Sequence, residues 1–218
     1  MALILNIETA TKNCSVSLAR DGMSLVCVEE NSDRYSHAEK LHRFISYTLE
    51  GARLRLSDLN AICVSKGPGS YTGLRIGVSA VKGLCFGLNI PLLSIDTLSV
   101  MTQGFDVDHG ILLPMIDARR DEVYTAAFDR YKNKVAPTQA KILDRNIFQE
   151  YRKNKVYIFG DGARKAEKLL SLSASYFPDF YPSARHMAFL SERLFKEESF
   201  GNLDSFEPFY LKDFVSIK

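Results

Sequence analysis

The segment Tyr71–Leu88 constrains the fold of this chain more than any other. It reads as one helix, yet it carries only two charges, Arg75 and Lys82. Gly73, Gly77, Ala80 and Gly83 strip bulk from much of its surface. Each helical glycine costs about 1 kcal/mol relative to alanine, so such a helix persists only where close packing compensates. A helix apolar on nearly all sides is buried on most of them. Either this helix is central to the fold, or one side of it meets a partner protein.

The residues before it sharpen the question. Ser65-Lys66-Gly67-Pro68-Gly69-Ser70-Tyr71-Thr72-Gly73-Leu74-Arg75 follows a buried apolar run and opens the helix. Glycines allow unusual backbone angles and close approach, and a helix N-terminus offers free N–H groups to an anion. The turn therefore suits a phosphate, or simply packs strand tightly against helix. A P-loop is excluded, because no Gly-Lys pair follows at the required spacing. Gly67 and Gly69 begin a dinucleotide fingerprint, but Thr72 stands at the third glycine position and Gly73 comes one residue late.

Around this centre the chain alternates. Leu3–Glu8, Ser15–Ala19 and Leu25–Val28 read as three short strands, with an Asp21-Gly22 hairpin turn between the last two. Ser36-His37-Ala38-Glu39 has the form of a capping box, and Leu41, Phe44, Ile45, Thr48, Leu49 and Ala52 continue it as an amphipathic helix. Strands follow at 61–64 and 91–95. The second half repeats the plan, with strands at 111–116, 123–128 and 135–143. A helix at 146–152, a strand at 156–159, a helix from Gly160-Asp161-Gly162-Ala163 through Leu170 and a last helix at 183–198 complete it. The aromatic tail (Phe206, Phe209, Tyr210, Phe214) is expected to pack back on the body. The element order implies an α/β protein of two lobes, 1–105 and 106–218.

Composition narrows the function classes. The 218 residues are 46% hydrophobic and 25% charged, which excludes a largely disordered chain. The balance of 28 basic and 26 acidic side chains, net +2, lacks the excess of an autonomous nucleic-acid binder. Cys14, Cys27, Cys63 and Cys85 form no CxxC pair and are expected to be reduced. His37 and His42 lie about 140° apart around a helix, and His109 and His186 stand alone, so no metal site is expected. The N-terminus lacks the basic region of a signal peptide, and no apolar stretch reaches spanning length. A soluble, cytoplasmic protein is expected. Glu8-Thr9, at the end of the first strand, suits either a phosphate site or a hydrogen-bonded strand end.

Three segments together resemble one family. Ile4-Leu5-Asn6-Ile7-Glu8-Thr9-Ala10-Thr11, Ser36-His37-Ala38-Glu39 and Lys66-Gly67-Pro68-Gly69-Ser70-Tyr71-Thr72-Gly73-Leu74-Arg75-Ile76-Gly77 look like the TsaB (YeaZ) family. Those proteins are partner subunits in the synthesis of threonylcarbamoyladenosine next to the tRNA anticodon. The resemblance implies an actin-like (sugar-kinase and Hsp70-like) ATPase fold with two related lobes. It also implies a non-catalytic paralogue of TsaD, the threonylcarbamoyl transferase, with TsaD and the ATPase TsaE as partners and tRNA reached through the complex. The catalytic relative carries a metal-binding His-x-x-x-His, which falls on Thr97 and Met101 here. A hydroxyl and a thioether do not replace two imidazoles.

The expected role is a scaffold that binds and activates TsaD and recruits TsaE, with a homodimer where TsaD is absent. The expected interface comprises Leu41, Ile45, Tyr71, Leu74, Arg75, Val78 and Lys82, the outward stripe being either Leu74/Val78 or Arg75/Lys82. A vestigial nucleotide cleft is expected at Glu8, Thr9, Gly67, Gly69, Ser70, Gly160, Asp161 and Gly162. No tightly bound cofactor is expected, and ATP or ADP enters only at the level of the complex. The competing reading is an active actin-like ATPase or phosphotransferase using the same cleft.

Overall fold

The computed structural model describes residues 2–32 and 36–212. They form two compact units, the described residues of 1–100 with Pro182–Phe209, and Met101–Tyr181 with 210–212.

The first unit opens with an antiparallel meander, β1 (Leu3–Glu8), β2 (Asn13–Arg20) and β3 (Met23–Asn31). Asp21 and Gly22 both take positive φ (53° and 75°), which matches the twist of the paired strands. The chain continues through α1 (His37–Ala52), β4 (Ala61–Gly67), α2 (Tyr71–Leu88) and β5 (Leu92–Asp96). The sheet order is β3-β2-β1-β4-β5, with β1, β4 and β5 parallel. Every residue of β1 is buried, because both faces of the sheet are covered. Leu3, Leu5 and Ile7 meet Leu41, Phe44, Ile45 and Leu49 of α1 and Val78 and Val81 of α2. Ile4 points the other way and shares its cluster with Ala61, Cys63, Leu93 and Ile95.

That second face is closed by residues expected in the other lobe. A 3-10 turn (Ala184–Met187) and, after α3 (Thr97–Gln103) and α4 (Ala163–Leu169), the helix α5 (Ala188–Lys196) bring Ala184, Met187 and Leu190 onto it. The Ala184 N–H donates to Ser15 Oγ at 2.8 Å, and Asn13 Nδ2 donates to the Pro182 carbonyl at 2.9 Å. An apolar stripe shows that a helix covers a sheet but not which sheet, so the boundary at 105/106 differs from the observed division. Downstream, Gly201 N–H donates to Leu92 O, Leu203 and Phe206 join the first core, and Phe209 N–H donates to Lys66 O. Phe214 lies outside the described residues.

The second unit repeats the plan. β6 (Ile111–Asp117), β7 (Glu122–Phe128) and β8 (Lys134–Ile142) form a meander, and β9 (Val156–Phe159) and β10 (Ser175–Phe177) add parallel strands. The order β10-β9-β6-β7-β8 reproduces that of the first sheet. Leu113, Met115, Val123, Ile158, Ala163 and Ala166 form its core. The three residues of β10 are too few to show periodicity, and the helix expected over 146–152 is reduced to one 3-10 turn, Gln149–Tyr151. Ser36 occupies the N-cap of α1, but its backbone (φ −103°, ψ 23°) leaves the side chain without a capping bond, so the box is not formed. No helix among the described residues is long and apolar enough to cross a membrane.

Candidate functional site

In the first unit the glycine turn packs onto the connection between β1 and β2. Ser70 N–H donates to Ala10 O at 2.7 Å, and Ser70 Oγ accepts from Gly73 N–H at 3.3 Å. Thr9 Oγ1 donates to Gly73 O at 2.8 Å. A Cβ on Gly69 would stand 2.4 Å from Ala10 O, one on Gly73 2.1 Å from Thr9 O, and one on Gly77 2.3 Å from Thr9 Oγ1. Gly67 (φ 115°) meets the carbonyl of Phe209 at 2.6 Å in the same way. Protein atoms therefore occupy the space that each of these glycines leaves free. Glu8, Thr9, Gly67, Gly69 and Ser70 are thus brought together.

Glu8 is fully buried, and burial pushes its carboxyl up to about 7, against the smaller opposing effects of Ala10 N–H, Ser65 and Thr9 N–H. One oxygen accepts the Ala10 N–H at 2.6 Å. The other has no hydrogen-bond partner, nor do the side-chain polar atoms of Asn6, Ser65 Oγ and Thr97 Oγ1. His37, buried near the same turn, places Nε2 2.7 Å from Thr11 O, and burial lowers its pKa.

Gly160, Asp161 and Gly162 belong to the second unit. Gly160 (φ 107°) lies against the Met115 carbonyl, with 2.2 Å left for a Cβ, and Gly162 against Val123 and Met115. Asp161 Oδ1 accepts the Asp117 N–H at 2.8 Å. These three residues lock the start of α4 onto β6. Met101 is buried with its methyl 2.5 Å from where a Gly160 Cβ would stand.

The outward side of α2 is different. Leu41, Ile45, Leu74 and Val78 are buried at 5% exposure or less, so these four expected interface residues are core residues of the first unit. The helix is central to the fold, and it also keeps an outer face. On that face Arg75 lies over the ring of Tyr71 at 4.2 Å. Lys82 donates to the carbonyls of Asp204 (3.2 Å) and Phe206 (3.1 Å), so it holds the returning tail. Between α1 and α2 runs an open, mainly apolar groove of about 370 Å³, lined by His42, Ile76, Ser79, Ala80, Gly83 and Leu84. A Cβ on Gly83 or Gly87 would meet nothing within 4 Å. The sequence marks Gly83 as small, but its spacing does not distinguish a glycine facing β1 from one facing outward. Ile76, Ser79 and Leu84 carried no separate signal.

Burial raises the thiols of Cys14 and Cys85 to about 12, and all four cysteines are free. Among the described residues no group of three or more His, Cys, Asp and Glu side chains is placed to hold a metal ion.

Comparison with known proteins places this geometry. Residues 30–154 match the family model described as TsaD, tRNA N6-adenosine threonylcarbamoyltransferase. The chain is 30% identical to the tRNA threonylcarbamoyladenosine biosynthesis protein TsaB of Escherichia coli (strain K12), over 99% of this chain and 96% of that protein. TsaB of Bacillus subtilis (strain 168) is 32% identical over 64% of this chain and 62% of its own length. The solved structure of YeaZ from Pseudomonas aeruginosa superposes with a TM-score of 0.86 at 25% identity, covering 97% of this chain and all of that one. The ethanolamine utilization protein EutJ from Carboxydothermus hydrogenoformans shares the fold alone, with a TM-score of 0.50 at 10% identity over 86% of this chain and 90% of its own. The two five-stranded sheets of matching strand order are those of the actin-like ATPase fold, and the chain belongs to the TsaB family of tRNA threonylcarbamoyladenosine biosynthesis proteins.

Proposed function

We propose that this chain is the non-catalytic docking subunit of a tRNA threonylcarbamoyl transfer complex, binding and activating a TsaD chain through the outer face of α1 and α2. The observation that carries the reading is the pair of open glycines on α2. Gly83 and Gly87 each weaken the helix by about 1 kcal/mol, and no contact within the chain requires their size. A helix of a second protein, laid in the groove beside Gly83, supplies the reason. The small residues Ser79, Ala80 and Gly83 let the two backbones approach closely. Tyr71 and Arg75, stacked on one another at the start of the same helix, would add aromatic and polar contacts. The same face, offered to a second copy of this chain, gives a weak homodimer where TsaD is absent.

The transfer itself falls to TsaD. Thr97 and Met101 stand where the catalytic relative has two histidines, and both side chains are buried in packing. The glycine turn faces protein atoms rather than an open phosphate cradle, which favours docking over an independent ATPase. The Glu8 region of the first unit and the Gly160–Gly162 turn of the second, each taken by itself, are relics of nucleotide-binding segments. Nucleotide and tRNA then engage at the level of the complex, in the cytoplasm, with TsaE as a further partner. The test is reconstitution with purified TsaD, TsaE, threonylcarbamoyl adenylate and tRNA. Modified adenosine is expected only when both this chain and TsaD are present; modification by this chain alone contradicts the reading.

A further inference from the structure

α2 is held between two surfaces. Its outer face carries the proposed docking groove, and the start of its inner face rests on Thr9 and Ala10, the two residues that follow β1. The bonds on the inner side form a chain. Glu8 Oε1 accepts Ala10 N–H at 2.6 Å, Ala10 O accepts Ser70 N–H at 2.7 Å, and Ser70 Oγ accepts Gly73 N–H at 3.3 Å. Thr9 Oγ1 closes it by donating to Gly73 O at 2.8 Å. Gly69, Gly73 and Gly77 all abut Thr9 or Ala10 closely enough that a methyl group would collide with them. The first two turns of the helix therefore move only with this seat.

Glu8 is an expensive residue to keep there. It is wholly buried, and its second oxygen makes no hydrogen bond of ordinary geometry, Ser65 and Thr9 N–H acting on the carboxyl only weakly. A buried polar group without its full set of partners is destabilising, and such a group in a native fold calls for an explanation. The short hydrogen bond that the carboxyl accepts fixes Ala10, and Ala10 fixes the start of α2.

We propose that Glu8 is a positioning residue for partner docking: through Ala10 and Ser70 it sets how far α2 stands out from the sheet, and with it the depth of the groove presented to TsaD. This rests on the docking reading above. An interface built on close helix approach is sensitive to displacements of about 1 Å in its supporting shell. The seat is remote from the partner and touches none of the groove residues, so its effect is transmitted by α2 itself.

The test uses the full chain, with Glu8→Gln, Glu8→Leu, Thr9→Val and, in parallel, Gly83→Leu. Circular dichroism checks folding, amide hydrogen exchange over 71–77 reads the seat, and titration calorimetry with TsaD reads docking. Glu8→Gln keeps an oxygen for Ala10 N–H and is expected to behave as the unmodified chain in both readouts. Glu8→Leu removes the acceptor, and exchange over 71–77 is expected to rise and TsaD affinity to fall, each about tenfold, the effect of losing one buried hydrogen bond. Should Glu8→Leu fail to fold, Thr9→Val, which removes only the bond to Gly73 O, carries the test with the same direction of change. A folded Glu8→Leu or Thr9→Val protein with unchanged exchange or unchanged affinity overturns the proposal. If Gly83→Leu abolishes docking while the seat variants dock normally, only the positioning role is wrong. If Gly83→Leu also docks normally, the docking reading itself has failed.

Discussion

Thr9 and Gly73, 64 residues apart, share one buried contact: the Thr9 hydroxyl donates to the Gly73 carbonyl at 2.8 Å, and the Thr9 carbonyl lies 2.1 Å from the point a Gly73 Cβ would occupy. The contact fuses the end of β1 to the first turns of α2. It also explains why the glycine-rich turn, which resembles a phosphate loop in sequence, is a packing device.

Gly73→Ala drives a methyl group into a backbone carbonyl, which yields less readily than a side chain. The expected loss is about 3 kcal/mol, at the upper end of the usual cost of overpacking. Gly87→Ala, which meets open space, is expected to gain up to about 1 kcal/mol instead. Urea unfolding of the two variants checks the contrast in sign.

Glu8 ties stability to pH. Its carboxyl is raised from 4.5 to about 7 by burial, so the folded protein holds a proton that the unfolded chain has released. The stability this contributes is fully present below pH 4.5 and is lost as pH rises through about 7, by roughly 3 kcal/mol in all. Glu8→Gln removes that dependence. His37, whose pKa burial lowers from 6.5, acts in the opposite sense on the acid side but is present in both proteins and cancels in the difference. The variant is therefore expected to gain on the unmodified chain between pH 5 and pH 8.5. Urea midpoints at those two values decide it, and a constant difference contradicts it.

Lys82 secures the tail through the carbonyls of Asp204 and Phe206. Lys82→Met keeps the aliphatic stem and removes both bonds. A loss of about 1–2 kcal/mol is expected, together with faster proteolysis around 202–206. Limited chymotrypsin digestion, which cuts after Leu203 and Phe206, followed by intact mass analysis reads the second effect.

The sequence carried the secondary structure well where a period had room to show. β1 is delimited at Leu3–Glu8, and α1 and α2 fall where the apolar spacing places them. The doubled lobe was legible as an element order and is borne out by two sheets of the same topology. What the sequence could not show was direction. Leu74, Val78, Arg75 and Lys82 sit on adjacent stripes of one helix, and only the packing of Val78 against the sheet reveals that Leu74/Val78 faces inward. The same limit hid the difference between Gly73, crowded by Thr9, and Gly83, which meets nothing. α5 was visible as a helix, yet its cover of the first sheet depends on contacts across about 170 residues, such as Ala184 with Ser15.

The central claim, that the outer face of α2 docks a partner, is tested most directly by the affinity of the Gly83→Leu chain for TsaD. A Cβ at position 83 meets no atom of its own chain within 4 Å, the rest of the new side chain extends into the open groove, and leucine favours the helix over glycine by about 1 kcal/mol. The Gly83→Leu protein is expected to melt higher than the unmodified chain and to have lost TsaD binding in titration calorimetry by at least about a hundredfold, as an occluded interface core requires. A variant that is equally or more stable and binds TsaD with unchanged affinity would contradict the account.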